Sequence, residues 1–163
     1  MLFGDPNKFA FLIDRVPEWE MGGWINGIMF VIVNGEVYPK DVRTTTFGSE
    51  LYSLLTDNSA FINPINDKEL YGKDGPELLR HLADMTYPPN PDDDNDYRFL
   101  IPFHEINDSG YHLFILSNGD QVKILVGKWE EEKVAFVDET ELSMQEYNQI
   151  KGKVMGFYHD GGF

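Results

Sequence analysis

Few residues of this chain are spaced for chemistry on a substrate. Its four histidines, His81, His104, His112 and His159, lie far apart. His104-Glu105 begins like the two-histidine zinc motif of metalloproteases. The residue four positions after His104 is Asp108, however, so the second ligand is missing. No Gly-x-Ser-x-Gly elbow occurs, and Gly72-Lys73-Asp74-Gly75 lacks the length and the hydroxyl of a phosphate loop. With no cysteine, thiol nucleophiles, disulfides and thiolate zinc sites drop out. The chemistry left is that of carboxylates.

Those carboxylates concentrate in two places. Asp92-Asp93-Asp94-Asn95-Asp96 follows a run containing Pro88, Pro89 and Pro91 and reads as an exposed acidic loop ending at Tyr97. Aligned as a calcium loop on Asp92, Asp94 and Asp96, it puts Tyr97 at the turn glycine and Phe103 at the bidentate glutamate, so EF-hand geometry fails. Glu130-Glu131-Glu132 sits at a hairpin tip between Trp129 and Lys133. Seven carboxylates from Glu130 to Glu146 face Lys133 alone. Because Asp138 and Glu139 point to opposite faces of a strand, these seven cannot share one side. Paired carboxylates could hydrolyse glycosides, with Trp19, Trp24 and Trp129 lining a cleft, but nothing in the pattern selects two of them. We therefore assign no catalytic residue, no metal ligand and no cofactor.

Charge points to a partner instead. Lys and Arg number 13 against 28 Asp and Glu, a net charge of −15 on 163 residues. Such a surface repels nucleic acid and anionic lipid and attracts basic proteins. The apolar content of 42% and aromatic content of 14% suffice for one folded core. The beginning Met1-Leu2-Phe3-Gly4-Asp5-Pro6 lacks a secretory pattern, and the longest apolar run, Ile28–Val33, is too short to span a bilayer. A cytoplasmic address is expected.

The elements that must position these residues are mostly strands. Periodicity predicts strands over 8–16, 25–33, 36–38, 97–103, 110–117, 121–129 and 133–142. Asn34-Gly35 and Asn118-Gly119 supply hairpin turns. Val122, Ile124 and Val126 alternate with Gln121, Lys123 and Leu125, as in a half-buried strand. Helices are predicted near 49–57, 75–86 and 143–157, the last two opened by the capping boxes Asp74…Glu77 and Ser143…Glu146. Asn63–Gly72 reads as loop. The whole is a single α+β domain over 1–163, largely antiparallel sheet with about three helices.

Several short runs, taken in order, resemble a known family. They are Phe3-Gly4-Asp5-Pro6 with Phe9-Ala10, Val16-Pro17-Glu18-Trp19, Asn26-Gly27, Asn34-Gly35-Glu36-Val37-Tyr38-Pro39 and Arg43-Thr44-Thr45-Thr46. Asp92-Asp93-Asp94-Asn95-Asp96-Tyr97-Arg98, Glu105-Ile106-Asn107-Asp108 and Gly127-Lys128-Trp129 continue the series. From about Phe3 to the start of the last helix, the chain resembles the immunity protein 42 family of bacterial polymorphic-toxin and contact-dependent-inhibition systems. The resemblance implies a cytoplasmic protein that binds a cognate toxin C-terminal domain and blocks it without catalysis. Charge implies that the toxin is basic, and the resemblance, since many toxins of such systems are nucleases, implies a nuclease-like one. The partner-binding residues expected from charge are Asp92, Asp93, Asp94, Asp96, Tyr97, Glu130, Glu131 and Glu132. A carboxylate-dependent hydrolase and a calcium- or peptide-binding accessory module are the alternatives.

Overall fold

In the computed structural model, which describes residues 1–161, two antiparallel sheets stack face to face and helices cover the outside. The first sheet starts with β1 (Leu2–Asp5), β2 (Phe9–Arg15), β3 (Asn26–Val33) and β4 (Glu36–Tyr38), side by side in that order. The two-residue strand β5 (Thr45–Thr46) pairs with the start of β3. Asn34 and Gly35 both take positive φ, 50° and 86°, the twist that a two-residue turn between β3 and β4 needs. β1 lies in Gly4- and Pro6-containing sequence that pattern reading leaves unassigned, yet it pairs with β2 from Leu2↔Leu12 to Asp5↔Phe9. An edge strand tolerates both residue types because only one side must bond.

After α1 (Phe47–Leu55) and the short α2 (Lys68–Tyr71) comes α3 (Gly75–Thr86), followed by the proline-rich acidic loop and α4 (His104–Asp108). The second sheet is β6 (Tyr111–Ser117), β7 (Gln121–Glu130) and β8 (Lys133–Ser143) in chain order, and α5 (Met144–Gly161) closes the chain. The fold is α+β with antiparallel sheets, as the pattern predicts. Among the described residues no helix is long and apolar enough to cross a membrane.

β6 and most of β7 are buried on both faces, while β8 at the edge is only partly covered. Leu113, Ile115, Val122, Ile124 and Val126 meet Phe11, Val31 and their neighbours on the first sheet. Phe114, Leu116 and Leu125 point the other way, against Leu78, Leu79 and Leu82 of α3. Gly127 lets α3 come close, since a Cβ there would lie 2.3 Å from Val134 Cγ1 and 3.2 Å from Leu79.

Four predictions of local structure need correction. The stretch 63–72, read as loop, contains α2, whose start is capped by Asp67 accepting the Leu70 N–H at 2.9 Å. Residues 97–103 form no strand. The Arg98 N–H donates to Asp96 Oδ1 and the Leu100 N–H to Tyr97 O, which turns the chain, Pro102 lacks a donor, and only an isolated bridge, Leu100↔Phe114, reaches β6. β7 is not half-buried. Lys123 is 7% exposed, and its ammonium donates to Tyr71 O at 2.9 Å, 3.4 Å from Glu141. The Asp74 side chain does not cap α3; Glu77 instead binds Lys73 at 2.9 Å. The Ser143 box does form. Glu146 N–H donates to Ser143 Oγ at 3.1 Å, and Ser143 N–H to Glu146 Oε2 at 2.8 Å. α5 extends past its glycines to Gly161 because Tyr147, Ile150 and Val154 anchor it to the core.

Candidate functional site: an acid-rimmed aromatic groove

α3 ends at Thr86, and Tyr87 follows in an extended turn that begins the proline run. On the same face of the second sheet, β7 carries Trp129 just before the Glu131-Glu132 tip of the β7–β8 hairpin. The two rings meet edge to face, 5.6 Å between centroids. His112 of β6 stacks beneath both, and its Nδ1 lies 3.1 Å from Tyr87 Oη. Burial holds the pKa of His112 below the ordinary histidine value, so a neutral ring supports the floor. Such aromatic pairs contribute about 0.5–1.5 kcal/mol beyond the area they bury.

Over this floor lies a groove of about 890 Å³ between α3, the proline loop and the start of β8. Its walls include Pro88, Pro91 and Phe136, and its rim carries Asp84, Asp93 and Glu132. Arg80 and Lys133 also line it. Each acidic element named from the sequence thus contributes a residue to one cavity: Asp93 from the loop and Glu132 from the hairpin.

The remaining candidates divide. Asp92 and Asp94 are exposed on the loop beside Asp93, and Glu131 is exposed beside Glu132. Glu130 lies 3.5 Å from Lys128. Asp96 is engaged by Arg98 through four hydrogen bonds of 2.7–3.1 Å, three from the guanidinium and one from the backbone N–H, and the guanidinium bonds above all lower its pKa. Tyr97 is 55% exposed; its ring meets Tyr87 at 6.3 Å, and it borders a second cavity of about 410 Å³. The loop is held by its own residues: Asp92 N–H donates to Asn90 Oδ1 at 3.2 Å, and Asn95 donates to Thr86 O at 2.8 Å. Among the described residues no three His, Asp or Glu side chains gather as a metal site would require.

The hairpin tip is conformationally costly. Glu131 and Glu132 sit at φ 48° and 65°, where glutamate loses about 1–2 kcal/mol per residue. Asn34-Gly35 performs the same turn elsewhere in this chain with residues suited to it. Two glutamates persist at a tip that Asn-Gly would close more easily, and this is where the groove receives its carboxylate.

Residues 1–155 match the family described as Immunity protein 42. The chain belongs to the immunity protein 42 family. A solved structure titled CdiI from Burkholderia dolosa AUO158 shares its fold, with a TM-score of 0.77 and 23% identity over 96% of this chain and 99% of that one. No curated protein matches. Membership makes protection against a toxin the function of this immunity protein.

Three features of the immunity protein escape pattern reading. Of its tryptophans, expected in a cleft or core, Trp19 and Trp24 are exposed on the β2–β3 connection, and only Trp129 lines the groove. Glu50, on α1, is buried at 3% exposure and accepts the His104 N–H at 3.0 Å, tying α1 to the start of α4. Burial raises its pKa to about 7. His104 Nε2 lies 2.8 Å from Ser53 Oγ. Glu50 is bonded to the backbone of His104, so these three do not make the relay a hydrolase would use. An isolated glutamate in a Ser-Glu-Leu-Tyr segment carries no sign of burial; helical spacing with Leu51 and Leu54 was the available signal.

Proposed function

We propose that this protein neutralises a basic, nuclease-like toxin domain in the cytoplasm by covering the toxin's cationic surface with the acid-rimmed groove, without turnover. One observation carries the reading: two acidic elements far apart in the chain converge over one aromatic floor, Tyr87 and Trp129. Partly exposed tyrosine and tryptophan are the side chains that supply most affinity in protein interfaces, and a polar rim excludes water around them. Carboxylates on that rim accelerate encounter with a positively charged partner. From the sequence, residues of both acidic clusters are expected to bind the partner. Because both reach the same groove, both act. The docking surface extends beyond the groove, since a stable interface covers about 800 Å² on each partner.

The test is co-production. The toxin domain encoded beside this gene arrests growth when made alone. Growth returns when the wild-type protein is made with it, and the purified pair elutes as one species. Continued arrest with soluble protein present refutes the immunity reading.

A further inference from the structure

Four consecutive residues of β8, Lys133, Val134, Ala135 and Phe136, line the groove. Neighbouring side chains on a strand point to opposite faces, so a cavity that touches four in a row cannot lie on one face. It must reach the strand's edge. β8 is the last strand of its sheet, and among the described residues its outer side makes no main-chain pairing.

That edge is guarded over only half its length. Toward the C-terminal end, Asp138, Glu139 and Glu141 place charge along it, and Asn34 Nδ2 donates to Glu139 O at 2.8 Å and to Asp138 Oδ1 at 3.0 Å. Charges and capped carbonyls of this kind are how proteins protect free edges. The stretch Val134-Ala135-Phe136-Val137 has no such device. Val137 is the extra residue opposite the Val126/Gly127 irregularity and is 41% exposed. The unguarded stretch is the one that borders the groove.

The register says which amides are free. Glu130 and Lys133 close a two-residue turn, so they exchange both hydrogen bonds with each other. Ala135 then bonds back to Lys128, while the N–H and C=O groups of Val134 and Phe136 face outward. We propose that an extended, arginine- or lysine-bearing segment of the toxin adds to this edge as a further strand, with its cationic side chains over Trp129 and Tyr87 and against Asp93 and Glu132. Strand addition supplies affinity through main-chain bonds. The rim and rings select positive side chains, since guanidinium and ammonium groups favour aromatic faces. The inference rests on the groove being the toxin-docking surface.

Amide hydrogen exchange tests it, on the full chain alone and saturated with the toxin domain encoded beside its gene. In the free protein the Val134 and Phe136 amides exchange faster than that of Ala135. In the complex both slow by more than about tenfold, because each becomes a ladder donor. Binding that leaves both amides at their free rates overturns strand addition while the immunity reading stands. Absence of binding overturns both.

Discussion

Tyr87 and Trp129 hold the two acidic elements together: their rings stand edge to face, 5.6 Å apart at 82°. One residue lies at the exit of α3, the other near the end of β7. Pro88 and the acidic loop follow the first, and Glu130-Glu131-Glu132 follow the second. The position of one carboxylate cluster relative to the other is therefore set by an aromatic contact.

Replacing Trp129 by Ala tests the floor. Trp129 is 44% exposed but gives up its ring contacts with Tyr87 and His112, so the variant stays folded and melts several degrees below wild type. An aromatic hot spot contributes about 2 kcal/mol or more, and toxin dissociation accelerates about 30-fold. Stopped-flow or surface-based kinetics with the toxin domain read this directly. An unchanged dissociation rate places the contact elsewhere.

The hairpin tip predicts opposite effects on stability and binding. Glu131→Asn with Glu132→Gly relieves two left-handed glutamates and stabilises the fold by about 1–3 kcal/mol. Thermal unfolding shifts up by several degrees, whereas association with the toxin slows. A melting point that falls contradicts the strain argument.

Glu50 predicts a pH dependence. Its pKa lies near 7 in the folded chain, above the ordinary 4.5, so between those values the folded state binds more protons than the unfolded state. Stability then falls as pH rises through that window, by up to about 3 kcal/mol. Glu50→Gln has no proton to lose. Denaturant unfolding at pH 5 and pH 8 shows the variant gaining that much on wild type. A constant difference between the two proteins means that the carboxyl is ionised throughout.

Much of this fold is legible in the sequence where local chemistry decides. Asn34-Gly35 announces its turn, and Ser143 with Glu146 announces the start of α5, because each signal is complete within four residues. β1 was hidden by Gly4 and Pro6, and the four residues of α2 are too few to show a period. Residues 97–103 have strand composition, but the Asp96–Arg98 turn and Pro102 prevent a ladder. Lys123 looks like an outward-facing residue until Tyr71 covers it. The site lies furthest from local reading. Asp93 and Glu132 were both visible as charges, and their meeting depends on α3 packing across Gly127, which no run of residues encodes.

On the proposed function, both acidic elements steer a basic toxin into the groove. Measuring the association rate of the toxin domain with wild type, Asp93→Asn, Glu132→Gln and the double variant, from low to high salt, tests it most directly. Each single variant slows association, the double variant slows it further, and the wild-type rate falls steeply as the Debye length shortens from about 10 Å to about 3 Å. Equal rates for all four proteins, indifferent to salt, contradict it.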